Sequence, residues 1–310
     1  MVKNMRTILI SDSPSHYEKV YNPKSMERLS VVSGLDTHKY TSEEIYKSPN
    51  SFSDVENIFS TWGMPRFSEG EIRAIFPNLK RVFYAAGSVQ AFARPFLACG
   101  VEIYSAWGAN GFSVAEYTVA QIILASKGFF TLSSLVKQKA RGEADRIKRS
   151  FPGVYGEKVG LIGCGMIGSL VVEMLKPHGM EVTVYDPFLS DERAESLGVK
   201  KSTLSELFST CSVISNHLAN KKETEKMLRY EHFSAMRPYS SFINTGRGAQ
   251  VVEEDLVRVL RERDDITAVL DVTWPEPAEY SHPFYELPNC VLTPHIAGSV
   301  HPSDQVRMVE

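Results

Sequence analysis

The sequence has no Cys-x-x-Cys pair, no long apolar run and little net charge, and each absence narrows what the chain can be. Its four cysteines, Cys99, Cys164, Cys211 and Cys290, are scattered, with no histidine nearby at zinc-ligand spacing. No metal site is expected, and small buried thiols in a reducing compartment are the natural reading. No stretch approaches the roughly 18 apolar residues that a membrane helix needs. The apolar run Ile8 to Ile10, which follows Met1, Val2, Lys3, Asn4, Met5 and Arg6, is too short for a secretory leader and suits a first strand. The expected location is therefore the cytoplasm, away from membranes. A formal net charge of −3 gives no general reason to expect nucleic acid as a partner. The longest basic cluster, residues 137–149, alternates with Glu143 and Asp145 and reads as a solvated helix face or loop. Internal repeats and low-complexity tracts are also missing.

What is present is a chain of 310 residues, 43% hydrophobic and 23% charged, enough for two globular domains. Short apolar strands are expected at 7–10, 55–59, 81–85 and 101–104, with 31–53 too polar to order. Ser68 and Glu71 have capping-box spacing and introduce a short helix that Pro77 closes. Ser113 and Glu116 repeat that spacing, which predicts a long, mostly apolar helix from Ser113 to about 130, buried on more than one side. Residues 142–156 read as a loop. Beyond them, strands are expected at 158–162, 181–185, 213–215, 241–244, 266–270 and 291–293, with helices at 167–176, 204–208, 223–228 and 253–261. Alternating strands and helices imply an α/β fold with parallel sheets covered on both faces.

The strand at 158–162 runs into Gly163-Cys164-Gly165-Met166-Ile167-Gly168. A lone Gly-x-Gly-x-x-Gly is weak evidence, but this one follows a strand, opens a helix, and has Asp186 at the end of the next strand. Gly163 permits the tight turn, Gly165 lets backbone approach a pyrophosphate, and Gly168 allows close helix–strand packing. The start of the helix, with Met166 and Ile167, presents N–H groups to phosphate. Asp186 would accept hydrogen bonds from ribose hydroxyls and repel a 2′-phosphate, so NAD is favoured over NADP.

Three further phrases each follow a predicted strand: Asn244-Thr245-Gly246-Arg247-Gly248, Asp271-Val272-Thr273-Trp274-Pro275-Glu276-Pro277, and Pro294-His295-Ile296-Ala297-Gly298. In an open α/β sheet, ligands bind outside the carboxyl ends of the strands. Singly, each phrase has a bland explanation: a surface ion pair, an exposed loop carboxylate, a structural histidine. Together they place one arginine, one carboxylate and one histidine at the cofactor cleft.

With the Gly turn, Asp186 and His217-Leu218, these phrases make residues 78–299 resemble the D-isomer-specific 2-hydroxyacid dehydrogenase family. The resemblance implies two Rossmann-like, doubly wound parallel-sheet domains, with an NAD-binding domain (105–298) inserted into a flavodoxin-like substrate domain (1–104 joined by 299–310). It implies a homodimer built on the helix after Ser113, and a small 2-oxo or 2-hydroxy acid as substrate. Arg247 would bind the substrate carboxylate and polarise its ketone, His295 would be the acid–base group, and Glu276 would hold the imidazole. Asp271 would lie near the nicotinamide amide, and His217, Thr245, His295 and Gly298 join the cofactor contacts.

The chain departs from the family's pattern at Ala86-Gly87-Ser88-Val89-Gln90, where Gly-Val-Gly-Val-Asp is usual. Gly87 and Ser88 remain the candidate N–H donors to the substrate carboxylate. Ala106-Trp107-Gly108-Ala109-Asn110 replaces Thr-Pro-Gly-Ala-Asn, and Trp62, after the strand at 55–59, is either a cleft or a core residue. The terminal helix of the family has only residues 301–310 to form from. The expected activity is reversible hydride transfer between NADH and a 2-oxo acid. An alternative is an NAD-sensing, corepressor-like protein of the same fold without turnover. A third, formate or phosphite oxidation, fits less well because formate enzymes of this type carry Gln where Glu276 stands.

Overall fold

A computed structural model describes residues 6–309, so the expectations for Met1 to Met5 and for Glu310 lie outside it. The chain forms two compact units, one from residues up to Gly111 joined by Ser299 onward, the other from Phe112 to Gly298. The second is thus inserted in the first.

The first unit is a five-stranded parallel sheet of β1 (Arg6–Ile10), β2 (Leu35–Tyr40), β3 (Val55–Ser60), β4 (Arg81–Tyr84) and β5 (Glu102–Ser105). Its order, β2-β1-β3-β4-β5, is the flavodoxin-like arrangement. Successive residues of a strand face opposite sides, and both sides here are covered. Ile8, Ile10, Ile58 and Val82 enter one core, while Leu9 enters another with Val20, Tyr21 and Met308. The short terminal helix Pro302–Val306 precedes Met308, so residue 308 returns to the first unit's core. The helix Glu69–Ile75 carries the expected Ser68–Glu71 capping box. The polar stretch 31–53 contains β2 and a helix Ser42–Lys47 with its own capping box from Thr41 and Glu44. As an edge strand burying only Leu35, β2 has no alternating apolar pattern to betray it.

The second unit has seven parallel strands: β6 (Lys158–Ile162), β7 (Glu181–Tyr185), β8 (Lys200–Lys201), β9 (Val213–Asn216), β10 (Ser241–Asn244), β11 (Thr267–Leu270) and β12 (Cys290–Leu292). Their order, β12-β11-β10-β9-β6-β7-β8, reverses direction between β9 and β6, the topological switch point of a doubly wound sheet. Val159, Leu161, Val213, Ile243 and Val269 fill the core on one face. Ile162, Ile214, Phe242, Ala268 and Leu270 fill that on the other.

Three helix expectations are corrected. The long helix spans Trp107–Ser126, so Ser113 is buried within it and is not its N-cap. Helical bonding has begun before Ser113, with the N–H of Asn110 donating to the carbonyl of Ala106 at 3.1 Å, which empties the capping-box signal. The helix expected at 223–228 shrinks to a single 3-10 turn, Lys222–Thr224: Lys226 is left-handed at φ 52° and Leu228 makes a parallel bridge with Val251. Within the expected loop at 142–156 lies a helix, Arg141–Ile147, which buries Ala144 and Ile147. Its polar face carries the Arg141–Asp145, Arg146–Glu143 and Lys148–Asp145 ion pairs, as a solvated basic cluster should. Among the described residues no single helix is long and apolar enough to cross a membrane.

Candidate active site

The Gly turn joins β6 to the helix Met166–Leu175. Gly163 sits at φ 92°, and a Cβ there would lie 2.8 Å from the carbonyl oxygen of His217. A Cβ on Gly168 would lie 2.3 Å from the carbonyl oxygen of Gly163, so helix and strand approach closely only because both are glycine. A Cβ on Gly165, in contrast, would meet nothing within 4 Å. Gly165 is the N-cap of that helix with no side-chain cap, which leaves the helix start, with Met166 and Ile167, to a ligand. Asp186, just past β7, takes the N–H of Cys164 on Oδ2 at 2.8 Å and that of Phe188 on Oδ1 at 2.9 Å. It therefore shapes the turn as well as marking the ribose position. A tight turn, open space at Gly165 and a carboxylate after β7 together fit NAD.

His217 follows β9, the strand beside β6, and its Nε2 lies 3.0 Å from the Ser215 hydroxyl. Burial pushes its pKa down to about 4, so the ring is neutral at physiological pH. The Thr245 hydroxyl pairs with that of Thr118 at 3.2 Å.

Arg247, Glu276 and His295 follow β10, β11 and β12, which are adjacent and in register at Asn244, Leu270 and Leu292. Arg247 is half-buried; its Nη1 donates to the Gly246 carbonyl at 2.7 Å, and among the described residues it forms no ion pair. A network of amides that the sequence did not reveal shapes its loop. Asn216 Nδ2 donates to Asn244 Oδ1 at 2.9 Å and to Gln250 Oε1 at 2.7 Å. Gln250 Oε1 also accepts the N–H of Arg247 at 3.1 Å. Only the spacing of Gln250, three residues after Arg247, hinted at this.

His295 Nδ1 lies 2.6 Å from Glu276 Oε1, and both side chains are partly exposed. His295 is left-handed at φ 54°, a rare state for a non-glycine residue. Asp271, 2% exposed, holds it there. Its Oδ1 accepts from the Thr293 hydroxyl at 2.6 Å and the N–H of Ile296 at 2.8 Å, and its Oδ2 from the N–H of Ala297 at 2.9 Å. Tyr117 pairs with Thr293 at 2.9 Å, and Gly298 ends the segment. Asp271 thus supports the histidine loop, beyond its expected place near a nicotinamide amide.

In the first unit, Gly87 and Ser88 follow β4, and Ser105 Oγ donates to the carbonyls of Ala86 at 2.9 Å and Gly87 at 2.5 Å. Trp62 is half-buried and packs on both cores of that unit, the structural role. Trp107 is 56% exposed at the start of its helix.

Known proteins resemble the chain in sequence and in fold. The chain is 34% identical over 200 residues to D-3-phosphoglycerate dehydrogenase of Archaeoglobus fulgidus, covering 64% of this chain and 37% of that protein. It is 32% identical over 235 residues to the same-named enzyme of Mycobacterium leprae, covering 74% and 43%. The match thus spans less than half the length of either curated relative. Among solved structures, D-mandelate dehydrogenase of Rhodotorula graminis superposes with a TM-score of 0.80 at 19% identity, covering 99% of this chain and 91% of that one. A protein of Thermus thermophilus does so at 0.72 and 26%, covering 99% and 94%. Three of these four proteins are named as dehydrogenases. Residues 119–297 match the family described as D-isomer specific 2-hydroxyacid dehydrogenase, NAD binding domain, and the chain belongs to that family.

Proposed function

We propose that the chain catalyses NAD-dependent interconversion of a small 2-oxo acid and its D-2-hydroxy acid. The observation that carries this is the 2.6 Å pairing of His295 with Glu276, in loops after strands adjacent to the one that leads to Arg247, which has no ion-pair partner among the described residues. NADH bound at the Gly turn supplies the hydride. Arg247 offers a planar fork that fixes the substrate carboxylate and polarises the adjoining ketone. Because Glu276 occupies Nδ1 of His295, Nε2 is the nitrogen that gives its proton to the carbonyl oxygen and removes it in the reverse direction. Glu276 fixes the ring's orientation and balances the imidazolium charge. Gly87 and Ser88 are the proposed N–H donors to the substrate, and Asp271, His217, Thr245 and Gly298 border the cofactor.

A working form as a homodimer, built largely on the helix that contains Ser113, belongs to the same proposal, and the next helix adds exposed apolar surface to it. The helix Phe129–Lys137 has no buried residue, and Phe129 and Val136 are each nearly half-exposed. Four free thiols with no disulfide among the described residues support a cytoplasmic setting. The deciding experiment is NADH oxidation by the purified chain against a panel of 2-oxo acids, with oligomeric state measured by light scattering. Turnover with at least one of them, lost in Arg247→Ala, is expected; no turnover with any member would overturn the assignment.

A further inference from the structure

The loop between β11 and β12 delivers Glu276 to His295, and its hold on the rest of the unit is narrow. Where it leaves β11 it presses on the turn after Arg247: a Cβ on Gly248 would lie 2.1 Å from the carbonyl carbon of Thr273. Beside Glu276 is a cavity of about 430 Å³, bordered by Thr273, Pro277, Ala278 and Tyr285. Side-chain packing therefore leaves that flank of the loop open.

Glu253 closes the gap. It is the first residue of the helix Glu253–Glu262, and its side chain is 8% exposed. Oε1 accepts the N–H of Trp274 at 2.8 Å, two residues before Glu276. Oε2 lies 3.4 Å from Nε2 of His282, six residues after Glu276, and has no hydrogen-bond partner among the described residues. One buried carboxylate thus touches the loop on both sides of Glu276.

We infer that Glu253 is a positioning residue, whose contacts to Trp274 and His282 set where Glu276 meets His295. The inference rests on the acid–base reading of that pair. The groups facing Glu253 are His282 from the loop, Cys290 from β12 and Glu254 from its own helix. Burial pushes the Glu253 carboxyl up to about 7, against the pull of the Trp274 N–H. A carboxyl oxygen accepts the Trp274 N–H in either protonation state, whereas attraction to a charged His282 needs the ionised form. The two contacts are separable on that basis.

The test uses the full chain with NADH and the 2-oxo acid it turns over fastest. Glu253→Ala is expected to lower kcat about tenfold to a hundredfold, with KM and the NADH dissociation constant within about twofold. Glu253→Gln keeps an acceptor for Trp274 and recovers most of the loss. His282→Asn, which leaves the buried helix start intact, gives a smaller drop in the same direction and serves where Glu253→Ala does not fold. In a Glu276→Gln background, Glu253→Ala should have no further effect on kcat, because it acts through Glu276. The same fold-loss in both backgrounds, or lost stability with unchanged kcat, overturns the inference. So does a crystal structure of Glu253→Ala with Glu276 still within about 3 Å of His295 Nδ1. Failure of the acid–base reading has a separate signature: Glu276→Gln alone would leave kcat unchanged.

Discussion

The backbone N–H of His295 donates to the carbonyl oxygen of Asp271 at 3.1 Å, while the carboxylate of the same aspartate holds Ile296 and Ala297. Asp271 therefore fixes the left-handed turn that presents the imidazole. Asp271→Asn puts an amide among donors that need an acceptor, and should cost about 2–3 kcal/mol of stability in urea unfolding. Turnover should fall further than stability accounts for, measured as kcat under conditions where the variant is fully folded. Undiminished kcat would show that the histidine keeps its orientation without the aspartate.

The acid–base pair makes a second prediction. His295→Gln should lose about a hundredfold to ten-thousandfold in kcat while binding NADH as the wild type does, followed by fluorescence titration. Glu276→Gln should lose less, because the ring remains in place with a weaker partner. Wild-type turnover in His295→Gln would remove His295 as the proton donor.

Cofactor choice gives a third. Asp186→Asn removes the charge facing a 2′-phosphate, and the NADH-to-NADPH ratio of kcat/KM should fall at least about tenfold. Asp186→Ala should do the same but with a less stable turn, since the N–H groups of Cys164 and Phe188 lose their acceptor. An unchanged ratio in both would place the discrimination on another group.

The fourth concerns pH. The Glu253 carboxyl is raised from 4.5 to about 7 in the folded chain, so the fold holds its proton more tightly than the unfolded chain does. Its contribution to stability is full below about pH 4.5 and is lost as pH rises through about 7. Glu253→Gln has no such loss. Its stability relative to wild type should therefore improve between pH 5 and pH 8, by up to ~3 kcal/mol in denaturant unfolding. A relative decline over that range would mean that the contact with His282 outweighs the burial of the charge.

Local chemistry made much of this legible. Gly163, Gly168 and Asp186 announce themselves because a turn with no room for Cβ admits only glycine, and strand ends repeat at regular intervals. Arg247, Glu276 and His295 stood out because each follows a strand of a parallel sheet, and such strands end on the same side. The residues that hold them did not stand out. Asn216, Gln250 and Glu253 act across elements, and one buried amide or carboxylate has no periodicity. The early start of the helix Trp107–Ser126 was hidden for the opposite reason: a capping signal at Ser113 lay inside a segment already helical. Residues 223–228 have helix-forming side chains, but Leu228 is 0% exposed and its bridge to Val251 prevails over local preference.

The amide cluster around Gln250 joins two parts of the unit that have different tasks. Gln250 Nε2 donates to the carbonyls of Leu218 and Ala219, both at 3.0 Å, directly after the histidine that walls the Gly turn. The other end of the same side chain accepts the N–H of Arg247. Every donor and acceptor there has a partner, so the amide cannot rotate without breaking several hydrogen bonds at once. A displacement of the 218–219 backbone is consequently a displacement of the acceptor that anchors Arg247.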